Sequence, residues 1–210
     1  MNWFRKKDKN ALLREVAGLK FVNPLGISYP YLRLKAGFMA LTPDSDNILE
    51  WIASVSEYSK DTVLGVNLHT DILRSFSLVY DFAQFIIIDP DSDNGIDSPD
   101  IADIAQLLDE IVNLRLCYEG YTPVFLRISK EDTPDEIHPL CACARLSGLD
   151  GIVAPDPLKV KLVMEECQGR VPVMGVANTE EEALAELSAG ATLVLTTLRP
   201  IPFSKLLKKL

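Results

Sequence analysis

The sequence predicts a trimmed (β/α)8, TIM-like barrel whose first crossover helix is missing, in a single domain over residues 1–210. Three observations predict it. Short apolar runs alternate with amphipathic stretches through the whole chain. Several runs are apolar without a break, such as Phe85-Ile86-Ile87-Ile88 and Val171-Pro172-Val173-Met174. Unbroken runs suit strands of a parallel sheet, buried on both faces under helices. Finally, only Tyr29, Pro30 and Tyr31 separate the first two runs, whereas a parallel crossover takes about a dozen residues. An open doubly wound sheet is the alternative, but no Gly-x-Gly-x-x-Gly follows any strand. At 210 residues the chain is short for a barrel of typically about 250 residues.

The strands are expected at 21–28, 32–41, 62–68, 82–89, 122–129, 149–154, 171–176 and 192–196. Helices are expected at 45–58, 71–80, 98–116, 134–147, 156–167, 179–188 and 202–210. Their start signals are physical. Thr179 precedes Glu180, Glu181 and Glu182, so a hydroxyl cap stands before carboxylates that the helix dipole favours. Thr133-Pro134-Asp135-Glu136 puts proline at the first helical position. Gly148 and Gly190 stand where helices should end. Trp51 keeps core spacing with Ile48, Leu49, Ile52 and Val55, and Met164 and Met174 read as packing residues.

Composition excludes several classes. With 48% hydrophobic and 24% charged residues the chain is neither disordered nor collagen-like. Its 21 Lys and Arg against 30 Asp and Glu give a net charge of −9, which repels a phosphate backbone and argues against nucleic-acid binding. Basic clusters stand only near the ends, at Arg5, Lys6, Lys7 and Lys9 and at Lys205, Lys208 and Lys209. They read as solvated termini, since no long apolar face accompanies them. Trp3, Phe4, Leu12 and Leu13 fit an N-terminal segment that covers the fold. No apolar run reaches signal-peptide or membrane-spanning length, so a cytoplasmic location with reduced Cys117, Cys141, Cys143 and Cys167 is expected.

In an α/β barrel, function sits on the loops that follow the strands. Here those loops carry Ser28-Tyr29, Thr42-Pro43-Asp44, Asn67 to His69, Asp89 to Asp97, Arg127 to Lys130, Pro155-Asp156, Ala177-Asn178 and Thr196 to Arg199. The set is polar and acidic, with no Ser-His-Asp order and no His-Glu-x-x-His.

A family resemblance rests on particular segments. Gly18-Leu19-Lys20-Phe21-Val22-Asn23-Pro24-Leu25-Gly26 is similar to the strand that opens the dihydroorotate dehydrogenase barrel. Leu64-Gly65-Val66-Asn67 resembles that family's Gly-x-Asn strand, and residues 124–129 and 149–154 resemble its fifth and sixth strands. Residues 171–176, with Ala189-Gly190-Ala191 and Leu193-Val194, resemble the last two units. The resemblance implies an FMN-dependent oxidoreductase that oxidises dihydroorotate to orotate in pyrimidine biosynthesis. It places Ser92 as catalytic base, Asn94 on the substrate and Asn67 on the flavin. Gly175 falls in the cofactor-binding seventh strand.

Other positions depart from the family. Asp89 and Asp156 replace ligand-binding asparagines, and Arg127 replaces a lysine beside the flavin ring. Ala177-Asn178 replaces a Gly-Gly pair that cradles the FMN phosphate, and Arg199 falls near a second phosphate-loop glycine. A Cβ in a phosphate cradle obstructs close backbone approach, while Arg199 offers a bidentate anion contact. The segment after the first strand and the glycine-rich insertion after the sixth are absent. The expectation is a dihydroorotate dehydrogenase-like barrel with a degenerate flavin site, in which FMN binds weakly or not at all. The alternatives are a non-catalytic barrel that binds a small anionic ligand or a partner protein, and an unrelated phosphate-using barrel enzyme. A homodimer is compatible with the composition.

Two other constellations stand out. Asp89, Asp91, Asp93, Asp97 and Asp100 fall at calcium-loop spacing, but Asn94 stands where such a loop needs glycine and Asp100 where it needs glutamate. A solvated loop capping the next helix is the competing reading. His138 and Cys141 share a helical face but Cys143 does not join them, so packing rather than metal binding is expected. Asp150 reads as structural.

Overall fold

A computed structural model describes residues 12–30, 35–43, 47–55, 62–90 and 100–210. The elements are β1 (Arg14–Val16), β2 (Leu19–Phe21), β3 (Leu25–Ile27), β4 (Phe38–Leu41), α1 (Ile48–Val55), β5 (Val63–Leu68), α2 (Ile72–Val79), β6 (Phe85–Ile88), α3 (Ile101–Arg115), β7 (Val124–Arg127), α4 (Pro134–Leu146), β8 (Gly151–Ala154), α5 (Pro157–Glu166), β9 (Val173–Ala177), α6 (Glu180–Ala189), β10 (Leu193–Thr196) and α7 (Pro200–Lys209). Strands β3 to β10 close a parallel barrel, with β10 pairing both β9 and β3. The TIM-like α/β barrel predicted from the apolar runs is the fold observed.

The crossing from β3 to β4 has no helix among the described residues. Residues 28–37 make it, more chain than the sequence reading allowed, because both strands are shorter than their apolar runs. Asn23 secures this crossing. Its buried side chain accepts from the Leu25 N–H at 3.0 Å and donates to the Lys35 carbonyl at 2.9 Å.

The first apolar run proves to be two elements. Its N-terminal part belongs to a hairpin, β1–β2, paired antiparallel and turned at Ala17 and Gly18. Both turn residues have positive φ, 50° and 81°, as a two-residue type I′ turn requires. The hairpin delivers Val16 and Phe21 to the barrel interior, where they pack with Phe38, Phe85, Phe125, Met174 and Leu193.

Size complementarity fills that interior. Gly26 pairs with Phe38, Gly65 with Phe85 and Gly151 with Phe125. At each of these glycines an added Cβ would lie 2.1–2.2 Å from the partner's ring. The rings, with Phe21, meet edge to face at centroid separations of 5.6–6.4 Å, a favoured aromatic geometry. Alternate strand residues face outward and form a second core beneath the helices. Met174 lies in the inner core and Met164 packs against the outer one. Trp51 packs on Phe82.

Asp150 is structural. Its carboxylate accepts from the Val124 N–H at 2.9 Å, from Arg115 Nη1 at 3.0 Å and from the Tyr121 hydroxyl. Arg115 also donates to the Gly148 carbonyl and lies over the Tyr121 ring. Burial, then the hydrogen bond to Asp150, pushes the Tyr121 phenol up to about 12. Asp150→Ala leaves Arg115 half-buried without its counter-ion and the Val124 N–H without its acceptor. It should cost about 3 kcal/mol in urea unfolding.

Candidate functional site at the barrel mouth

Strand alternation decides which residues line the mouth. Gly65, Ile87 and Phe125 face inward, so two residues later Asn67, Asp89 and Arg127 also face inward at the C-terminal ends of β5, β6 and β7. The structure therefore brings together three residues that the sequence singled out. Arg127 Nη1 meets Asp89 Oδ2 at 3.3 Å, with side chains 23% and 16% exposed. Both are departures from the family pattern, and together they form an ion pair. The negative charge that Asp89 brings to the mouth is balanced within it.

Asn67 stands near the end of the neighbouring strand β5 and is buried. Its amide nitrogen approaches Thr42 Oγ1 at 3.4 Å, while its carbonyl oxygen Oδ1 has no hydrogen-bond partner. An unsatisfied buried acceptor costs about 1–3 kcal/mol. It is a ready partner for an N–H or O–H of a molecule in the mouth. Asn178 and Thr197 continue the polar rim beyond β9 and β10, with Thr197 Oγ1 donating to Asn178 Oδ1 at 2.9 Å.

The loop after β9 is held by the chain's own side chains. Glu182 Oε2 accepts from the Asn178 backbone N–H at 2.7 Å. Thr179 Oγ1 accepts from the Glu182 N–H at 3.1 Å. Glu180, Glu181 and Glu182 fill the first turn of α6, where the helix dipole favours negative charge. Arg199 stands exposed at the N-cap of α7.

Several expected site residues make contacts within the chain away from the mouth. Gly175 does not face the mouth: it lies within β9, and an added Cβ would meet Glu186 of α6 at 2.6 Å. Ala177 also points outward, buried in the core beneath the helices. Alternation explains both, since Met174 is an inner-core residue. Asp156 caps α5, its Oδ1 accepting from the Leu158 and Lys159 N–H groups at 2.9 and 3.0 Å. Asp100 caps α3, accepting from the Ala102 and Asp103 N–H groups at 2.8 and 2.9 Å. The calcium pattern thus meets a helix cap at Asp100 and an ion pair at Asp89. Among the described residues no cluster of three or more metal-ligating side chains occurs. Ser92 and Asn94, with Asp91, Asp93 and Asp97, lie outside the described residues. His138 contacts Glu166, at 2.5 Å.

Sequence reading missed Glu186. It is fully buried on α6, and neither carboxylate oxygen has a hydrogen-bond partner. Burial, then the charges of Asp156 and Glu182, pushes its carboxyl up to about 8. Only its place opposite Gly175 would have signalled it, as a large side chain filling the space that a missing Cβ leaves.

No protein-family model matches the chain. Among curated proteins it is similar to the dihydroorotate dehydrogenase (quinone) of Aeromonas hydrophila, 25% identical in an alignment covering 68% of this chain and 57% of that one. It is also 24% identical to the enzyme of the same name from Vibrio vulnificus, over 71% of this chain and 58% of the relative. The chain therefore spans rather more than half the length of these relatives. Among solved structures, a dihydroorotate dehydrogenase from Eimeria tenella in complex with ferulenol superposes with a TM-score of 0.77. Identity there is 15%, with 96% of this chain and 83% of that one covered. A mandelate oxidase mutant with a monooxide FMN adduct gives a TM-score of 0.62 at 14% identity, over 93% of this chain and 70% of that one. No helix among the described residues is long and apolar enough to cross a membrane. The chain is thus similar to dihydroorotate dehydrogenases in sequence and folds as the same kind of barrel.

Proposed function

We propose that this barrel has retained a polar ligand site at its mouth while its phosphate end no longer accepts FMN, so that it binds a small molecule without flavin chemistry. One observation carries the reading. The Asn178 N–H, at the position where the family resemblance puts a phosphate cradle, donates to the Glu182 carboxylate at 2.7 Å. A carboxylate on that N–H does locally what a phosphate oxygen would do, and it repels a second anion. Two further glutamates stand in the same helical turn. Arg199 is the compensating cation near this end, but it is exposed and set at the start of the next helix. The residues do not fit a phosphate at this cradle.

The mouth is a different environment. The Asp89–Arg127 pair offers both signs of charge, and Asn67 Oδ1 is a buried acceptor without a partner. A small planar molecule with an N–H donor and a carboxylate would find a partner for each: the Asn67 oxygen for the donor, Arg127 for the carboxylate. The test is turnover. Dihydroorotate with added FMN and a quinone acceptor should give no orotate above the enzyme-free rate. Sustained orotate formation proportional to protein would overturn the proposal.

A further inference from the structure

Cys141 and Cys167 lie on different helices and are 2% and 0% exposed. Cys141 stands midway along α4, and Cys167 is the C-cap of α5. The two helices pack side by side, and His138 Nδ1 meets Glu166 Oε2 across the gap at 2.5 Å. That contact sets their register. Cys141 lies one turn beyond His138 on the same face, and Cys167 follows Glu166 directly. The two thiols are accordingly near enough for each to perturb the other, and neither is in a disulfide. Arg145, one turn beyond Cys141, places positive charge near both sulfurs.

We propose that Cys141 and Cys167 form a dithiol site that a peroxide converts into an intramolecular disulfide joining α4 to α5. The pair has the asymmetry that such chemistry needs. The neighbouring Cys141 thiol holds the Cys167 thiol down, with help from Arg145 and against the effect of burial. Cys167, with burial, pushes the Cys141 thiol up. Cys167 is therefore the nucleophile, since the thiolate is the reactive form, and Cys141 is the resolving thiol. Hydrogen peroxide is hardly larger than water, so the oxidation requires only a small opening of the helix pair.

The steps balance. The Cys167 thiolate attacks one peroxide oxygen; the S–O bond forms, the O–O bond breaks, and the departing hydroxide takes a proton to become water. The Cys141 sulfur then attacks the sulfenic sulfur of Cys167. The S–S bond forms, the S–O bond breaks, and hydroxide leaves with the Cys141 proton as a second water. Two thiols lose two electrons, and the peroxide is reduced to water.

The test exposes the full chain to hydrogen peroxide, alkylates it with N-ethylmaleimide under denaturing conditions, and maps peptides without reduction. The expected result is loss of alkylation at Cys141 and Cys167 together, a peptide linking the two as the dominant cross-link, and its reversal by dithiothreitol. Exposed Cys117 and half-buried Cys143 serve as internal references. In Cys141→Ser, Cys167 should instead proceed to sulfinic acid, because nothing resolves the sulfenic acid. Should that variant not fold, the parent map decides alone. The proposal is overturned if Cys141 and Cys167 stay fully alkylatable at peroxide levels that oxidise Cys117, or if the dominant cross-link joins any other pair.

Discussion

Gly65→Ala is expected to destabilise the barrel by about 3 kcal/mol or more, the range of severe overpacking in a closed core. The added Cβ would stand 2.1 Å from the Phe85 ring. That ring cannot swing aside, because it already meets Phe21, Phe38 and Phe125 edge to face. Gly65 and Phe85 are direct cross-strand partners, so the clash strains the β5–β6 ladder itself. Urea unfolding measures the cost. Combining Gly65→Ala with Phe85→Leu should restore part of it, giving a coupling larger than the few tenths of a kcal/mol expected for independent sites. A Gly65→Ala protein as stable as the parent would contradict this packing.

Glu186→Gln should stabilise the protein increasingly as pH rises. The folded protein holds this carboxyl protonated up to about 8, whereas its ordinary value is 4.5. Below 4.5 both states bind the proton, and the group contributes no pH dependence. Between 4.5 and 8 the folded state keeps a proton that the unfolded chain has released. Stability therefore falls as pH rises through that window, and above it the full cost is present. Asp156 and Glu182, the charged groups that face Glu186, make the cost larger. Glutamine keeps the shape and removes the titration. The gain should be near zero at the acid end and on the order of 3 kcal/mol near pH 8. Thermal unfolding of both proteins across that range checks it, and parallel pH profiles would contradict it.

These residues show where sequence reading succeeds and where it stops. The eight barrel strands were legible because unbroken apolar runs have one good home, a strand covered on both faces. The β1–β2 hairpin was not, since its turn uses Ala17 at positive φ instead of asparagine or aspartate, the usual signal. Phe21 consequently read as part of the first barrel strand, although it belongs to the hairpin that fills the barrel interior.

The site was legible by position more than by role. Asn67, Asp89 and Arg127 were found because functional residues follow barrel strands. That Asp89 and Arg127 neutralise each other depends on the β6–β7 register, which no single segment reveals. Gly175 and Ala177 were placed at the cofactor by resemblance; alternation through β9 turns their side-chain positions outward. The capping roles of Asp100 and Asp156 follow the same rule that correctly placed Thr179 ahead of α6. Glu186 stayed hidden because Glu180-Glu181-Glu182-Ala183-Leu184-Ala185-Glu186 reads as a solvated helix face. Only the barrel brings that glutamate against Gly175.

The proposed loss of FMN turns on Glu182, which holds the Asn178 N–H. The direct measurement is flavin retention: the protein is saturated with FMN, desalted, and its absorbance recorded. The flavin band should be lost on desalting while the protein band remains. Retention of FMN near one per chain would contradict it.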